Sequence, residues 1–378
     1  LGPDAFTSDE MMETLKLCVS CKGCRRECPT GVDMARLKIE VLAARAAKMG
    51  HSIRDYLVGY LPRYAPFAAR LPALPNLRDA IPGLAKLAER ITGFSAERPL
   101  PRWRRDVFAD TPSVFGPEDG RPVILFADTF NRYFDRENLD AALTVLTAGG
   151  YRVEIARPVD GDSRPLCCGR TFLSIGAVEE ARKEARRVLD ALAPALDAGV
   201  PVSGLEPSCL LSFRDEVPAL LPGSDARRLA EASLLFEEFI AREAKAGRLD
   251  LPLGPVAERA LLHGHCHQKS FAAMGAVEQT LRLVPGLQVE TVESSCCGMA
   301  GAFGYGADTI DVSKAMGELS LLPAVRAAAP DTLVVADGTS CRAQIADGAQ
   351  RDAVHVARVL ARAVAAAEAE APARIAAE

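Results

Sequence analysis

The sequence has no excess of basic charge. Its 45 Lys and Arg face 50 Asp and Glu, giving a net charge of −5, and the isoelectric point is about 5.7. A nucleic-acid partner therefore has no electrostatic support. No apolar run is long enough to span a bilayer, and no basic n-region with an apolar core opens the chain. The cysteine count is odd, eleven in 378 residues, which together with the length argues against a small disulfide-stapled secreted scaffold. This many free or metal-bound thiols suit a reducing compartment, so a cytoplasmic protein is expected. At 49% hydrophobic and 25% charged the composition is globular, with room for two or three domains.

What is present is a cysteine run, Cys18-Val-Ser-Cys21-Lys-Gly-Cys24-Arg-Arg-Glu-Cys28-Pro29. This is C-x2-C-x2-C-x3-C-P, the bacterial ferredoxin spacing for a [4Fe–4S] cluster. Zinc fits it poorly, because zinc sites separate their C-x2-C pairs by a dozen or more residues.

Residues 1–50 read as a small helical domain. Thr7-Ser8-Asp9-Glu10 reads as a capping box, with Phe6 and Met11 placed as a staple. A helix over Met11–Leu17 then delivers Cys18, and Val32–Met49 has helical periodicity. Residues 51–120 form a proline-rich connector of short helices at most. It reads either as a strap on the larger domain or as a partner- or membrane-surface contact.

Residues 121–378 contain a repeat, 121–250 and then 251–378 with a C-terminal helix. Val123–Ala127 matches Ala260–His263, and Gly150–Ala156 matches Gly286–Val292. Cys167-Cys168-Gly169 matches Cys296-Cys297-Gly298. Val200–Gly204 leading to Cys209 matches Leu333–Ala336 leading to Cys341. The offsets run from 129 to 137 residues. Helices such as Val178–Leu192 and Ala307–Leu322 alternate with these strands, predicting two α/β units with parallel sheets related by a pseudo-two-fold. The cysteines are expected in loops after strands, at the sheets' carboxyl ends.

The second unit carries Cys266, Cys296, Cys297 and Cys341, the ligand count of a second [4Fe–4S] cluster. Gly298, Gly301 and Gly338 would let backbone N–H groups approach the cofactor. The first unit keeps Cys167, Cys168 and Cys209, with Asn131 matching Cys266. These three thiols either bind a cluster with a non-cysteine or remote ligand or are a decayed site that only packs. Alternation in His263-Gly264-His265-Cys266-His267 puts His263, His265 and His267 on one side of an extended strand end. The choices for them are a metal site, hydrogen bonding to cluster sulfur, proton delivery near an acceptor, or a structural role. Lys269 could pair with an anionic cluster or a bound acid.

These runs, with Glu206-Pro-Ser-Cys209 and Gly338-Thr-Ser-Cys341, resemble the cysteine-rich CCG family. Its members include the cysteine-rich component of heterodisulfide reductase, the iron–sulfur subunits of glycolate oxidase and anaerobic glycerol-3-phosphate dehydrogenase, and fused FAD-linked oxidases of D-2-hydroxy acids. The resemblance covers nearly the whole chain. It implies an α/β fold, with a ferredoxin-like all-α domain followed by two CCG repeats. It also implies an oxidoreductase component that relays electrons from FAD through one or two [4Fe–4S] clusters in this chain to a quinone or soluble acceptor. The hydroxy acid would be of the D-lactate, glycolate or D-2-hydroxyglutarate class. The alternatives are a thiol–disulfide reductase and a non-catalytic docking module.

Three features depart from the family pattern. The closing C-x2-C is broken by Glu206 and Gly338, the first repeat lacks its leading cysteine, and only one ferredoxin motif is present. Cys28 is therefore expected to serve a cluster outside this chain, because in two-cluster folds the fourth cysteine ligates the other cluster. No FAD fingerprint is visible, and the chain opens at Leu1 rather than Met. The flavin is thus expected in a region upstream or in a partner subunit. A homo-oligomer and a peripheral contact at the inner membrane face are also compatible with the sequence.

Overall fold

The computed structural model describes residues 4–375. It contains two mainly parallel sheets preceded by helices. The first sheet comprises β1 (Val114–Phe115), β2 (Arg121–Phe126), β3 (Tyr151–Ile155), β4 (Val202–Gly204) and β5 (Ser233–Leu235), in the order β1-β3-β2-β4-β5. Only β1 runs antiparallel. The second sheet comprises β6 (Arg259–Leu262), β7 (Gln288–Thr291), β8 (Leu333–Val335) and β9 (Ala353–Val354), ordered β7-β6-β8-β9 and wholly parallel. Leaving out β1, the two orders are the same.

Strand alternation divides the core into a shared layer and two outer layers. Val123, Leu125, Ala260, Leu262 and Val335 face a common core. Helices Arg136–Ala148 and Val356–Ile375 fill it through Leu139, Leu146, Val359 and Leu360. Ile124 and Phe126 point the other way, onto a layer holding Cys167, Cys168 and Cys209. Leu261 and Val334 face a layer holding Cys296, Cys297 and Cys341. Each group of thiols therefore lies on the outer face of its own sheet.

Two prolines of the connector fall where helices accept them, whereas Pro66 lies inside the helix Leu61–Arg70. Pro62 and Pro75 sit in the first turns of Leu61–Arg70 and Ala73–Ala80, where the missing N–H has no intrahelical partner to lose. Helices Ile53–Gly59 and Leu84–Thr92 complete this segment. It straps both halves. Thr171 Oγ1 donates to Gly59 O at 2.9 Å, and Arg54 pairs with Asp308 at 2.8 Å. Phe67, Leu71, Leu74 and Ile91 remain exposed along it.

Several local expectations are corrected. The first helix is Asp9–Lys16, and Ser8 rather than Thr7 caps it, accepting from Met11 N at 3.2 Å. The third helical position is therefore Met11, and the expected box with Glu10 is out of register. The next long helix is Met34–Met49, capped by Asp33. The helix from Val178 continues through Pro194 to Asp197, because Leu196 extends the buried Ala181-Ala185-Val188-Leu192 stripe. Ala307–Leu322 is two helices, Ile310–Glu318 and Leu321–Ala327.

Candidate metal centre

The four thiols of the second half stand in the first turn of a helix or in the loop that follows a strand. Cys296 and Cys297 follow β7. Cys341 lies in the first turn of helix Thr339–Ala349 after β8. Cys266 opens helix Cys266–Ser270 after β6. Hydrogen bonding links the thiols in a chain, Cys266 to Cys296 to Cys297 to Cys341. Burial and neighbouring thiols hold all four above the ordinary thiol range. For Cys296, the bond to Cys266 pulls down but Cys297 and burial outweigh it, up to about 12. A metal must therefore displace protons here. The Lys269 ammonium sits beside these sulfurs. Burial opposes its charge, while Cys341, Cys266, Cys296 and Cys297 all favour it. Lys269 also grips the turn before the Cys-Cys pair, through Ser294 O, Ser294 Oγ (3.2 Å) and Ser295 O (3.1 Å).

The ferredoxin-type run lies against this group. Burial raises the Cys21 thiol, and Cys266, Cys18 and Cys24 add to the rise. Helix Cys266–Ser270 makes the connection. His267 Nε2 lies 3.1 Å from Ser20 O, and Ser270 Oγ donates to Cys21 O at 2.9 Å. Met34 N donates to Cys24 Sγ at 3.3 Å, and Gly298 N to Cys296 Sγ at 3.4 Å. Such bonds stabilise thiolate ligands and tune a cluster. Cys28 is turned elsewhere, 3.1 Å from Thr30 Oγ1, and that bond with nearby backbone N–H groups lowers its pKa.

The three histidines do not share a side. His263 is the first residue past β6. His265 caps the following helix, with Nδ1 accepting from His267 N at 3.1 Å, so the chain bends instead of staying extended. The His265 ring lies where a Cβ on Gly338 would fall, at 2.3 Å from His265 Cδ2. Gly338 thus makes room for His265. Gly298 has φ +88° and packs on Ser313 O, while Gly301 N donates to Ser340 Oγ at 3.1 Å.

In the first half, Cys167, Cys168 and Cys209 are buried and mutually hydrogen-bonded. Burial, with Asp128 and Glu206 nearby, takes Cys209 up to about 12 against the opposing bond from Cys168. Asn131 is not the counterpart of Cys266. In the ladders, Ile124 pairs with Val202 as Leu261 pairs with Val334. Carried along the chain, this register sets Thr129 opposite Cys266 and Phe126 opposite His263. Thr129 and Cys266 are both first residues of their helices. The Asn131 amide is held between Asp128 Oδ2 (2.7 Å) and Asn138 Nδ2 (2.8 Å).

Sequence reasoning missed four contributors. Lys38 Nζ donates to Cys18 O at 2.6 Å. Arg170, directly after the first Cys-Cys-Gly, pairs with Glu216 and lies beside Cys168 and Cys266. Lys22, inside the cysteine run, is buried against Asp33 (3.2 Å), Asp215 (2.5 Å) and Glu216 (3.0 Å). Glu206, noted only as a missing cysteine, crosses to the other half and accepts from Thr339 N at 2.9 Å, capping the helix of Cys341. Only Arg170 had a sequence signal, its place after the motif. A cleft of about 2170 Å³ between strap and sheets reaches Cys18, Cys266, His265 and His267. The donor set fits iron–sulfur chemistry: clustered buried thiols, N–H donors to sulfur, and one lysine at each group.

No family model matches the chain. It is 27% identical over 354 residues to D-2-hydroxyglutarate dehydrogenase of Escherichia coli K12, covering 89% of this chain and 33% of that protein. It is 26% identical over 339 residues to one subunit of the anaerobic glycerol-3-phosphate dehydrogenase of the same organism, covering 88% of this chain and 81% of that subunit. A shorter stretch of 155 residues is 30% identical to lactate utilization protein A of Lysinibacillus sphaericus, covering 38% of the chain. The long matches are thus to dehydrogenases or a dehydrogenase subunit. The chain spans about a third of the length of the D-2-hydroxyglutarate dehydrogenases it matches. Among the described residues, no helix is long and apolar enough to cross a membrane.

Proposed function

We propose that this chain is the iron–sulfur, electron-transferring part of an FAD-dependent 2-hydroxyacid dehydrogenase. In this reading Cys18, Cys21 and Cys24 hold one cluster and Cys266, Cys296, Cys297 and Cys341 a second. Cys28 serves a cluster completed elsewhere. Cys167, Cys168 and Cys209 are core thiols, since Thr129 stands where a fourth donor would be needed. The clusters, when bound, supply one-electron sites between a two-electron flavin and an acceptor. The residues around them hold, insulate and bias those sites. Lys38 and Lys269 place positive charge at each, and the burial of Cys296, Cys297 and Cys341 excludes water. A quinone or soluble carrier would approach Cys266 through the cleft, and the flavin would come from a companion domain or subunit.

The observation that carries this reading is the contact between the two cysteine groups, through His267 to Ser20 and Ser270 to Cys21. A pair of sites in hydrogen-bonded contact is suited to passing electrons. The test is anaerobic reconstitution followed by iron and sulfide analysis and potentiometric EPR. About eight irons per chain and two reducible signals are expected, with one signal lost in Cys296→Ser. A single signal, unchanged by that substitution, would overturn the assignment.

A further inference from the structure

The geometry points to His263 as an imidazole ligand of the second cluster, alongside Cys297 and Cys341. This inference rests on the proposed function and adds a non-thiolate donor to it.

The strand order brings the three residues together. β7, β6 and β8 are neighbours, and Cys297, His263 and Cys341 follow them in that order. His263 N donates to Val335 O at 2.8 Å, so the ladder continues one residue beyond β6 and fixes the backbone there. Alternation from Leu261 turns the ring onto the thiol-bearing face. One ring nitrogen and the two sulfurs all lie within 4.8 Å of one another. All three donors would therefore border the space in which the second cluster would be held.

The ring is 1% exposed. Its Nδ1 lies 2.9 Å from Ser294 Oγ, while among the described residues Nε2 has no hydrogen-bond partner. Buried polar atoms nearly always have a partner, and one without needs a reason. With Nδ1–H donating to Ser294, Nε2 carries a free lone pair. That is the arrangement of metal-bound histidines, whose second nitrogen is held by an oxygen. Ser294 is itself held by Lys269. In the first half the aligned residue is Phe126, stacked edge-on against Phe213 at 4.9 Å. The imidazole is therefore a feature of the half that carries four thiols. A neutral imidazole at this position sets a higher potential than a thiolate there would, which would make this site the electron sink of the pair.

The test uses the wild-type chain, reconstituted anaerobically with nitrogen-15 in histidine only, then reduced and studied by pulsed EPR. A strongly coupled nitrogen that changes with the label is expected on the second signal. It should persist in His265→Ala and His267→Ala and vanish in His263→Ala. His263→Cys, which keeps a donor, should retain the signal at a lower potential. A second signal with no strongly coupled nitrogen in the labelled wild type overturns the inference alone. Iron analysis showing no second cluster overturns the proposed function, and this inference with it.

Discussion

His267 Nε2 lies 3.1 Å from the carbonyl oxygen of Ser20, across 247 positions of sequence. Burial and the Arg170 guanidinium keep this imidazole neutral, so Nε2–H can donate to Ser20. The bond joins the two cysteine groups within one residue of Cys21 on one side and of Cys266 on the other. His267→Phe should preserve both clusters while weakening the magnetic interaction between them. It should also cost about 1–2 kcal/mol of stability, since the Ser20 carbonyl loses a buried donor. EPR of the fully reduced protein and denaturant unfolding measure the two effects.

Lys269 is near all four sulfurs of the second group. A reduced site carries one more negative charge, so the ammonium favours reduction. Lys269→Met should lower the second potential by about 50–100 mV, the equivalent of roughly 1–2 kcal/mol. Lys269→Arg should restore most of it. Potentiometric EPR separates this from a folding defect, because the first signal should stay in place.

The strands, the repeat and the cysteines were legible because hydrophobic runs and cysteine spacing are local signals. Register was not. Offsets that drift between halves aligned Asn131 with Cys266, whereas strand pairing aligns Thr129. The His-x-His-x-His alternation suggested an extended strand, but His265 is a helix cap and scatters the rings. Lys38 and Glu206 act on groups far along the chain, and no local pattern announces such contacts. The strands β5 and β9, three and two residues long, leave almost no trace in sequence.

Thiol reactivity in the metal-free chain should follow burial. Cys28 is partly exposed, and its bond to Thr30 lowers its pKa, so more of it is thiolate at neutral pH. The thiolate is the nucleophile. Iodoacetamide should therefore modify Cys28 first, and Cys167, Cys168 and Cys209 last. Mass spectrometry of timed samples gives the order. Early labelling of Cys209 would contradict its burial.

Asp128 is fully buried, and desolvation with the nearby Glu206 charge raises it from 3.8 to about 6. The folded state therefore binds this proton more tightly than the unfolded state. The associated stability is fully present below pH 3.8 and is lost as pH rises through about 6. Asp128→Asn does not titrate there. Relative to wild type, the variant should gain roughly 2 kcal/mol between pH 4 and pH 7. Urea unfolding of the metal-free proteins at both pH values reads this difference directly, whatever constant cost the substitution adds.

The register makes opposite predictions for two cysteine substitutions in the first half. Thr129 is the first residue of its helix, as Cys266 is of its own. Thr129→Cys would complete four thiols with Cys167, Cys168 and Cys209, and iron content should rise by about four per chain. Asn131→Cys, the choice that sequence offsets favour, would instead break the bonds to Asp128 and Asn138. It should add no iron and cost about 1–3 kcal/mol, because buried polar groups are left unpaired. Iron analysis of both variants decides between the alignments. Gain of iron by Asn131→Cys and not by Thr129→Cys would show that strand pairing misplaces the fourth donor, and that the first half is closer to a working site than Thr129 implies.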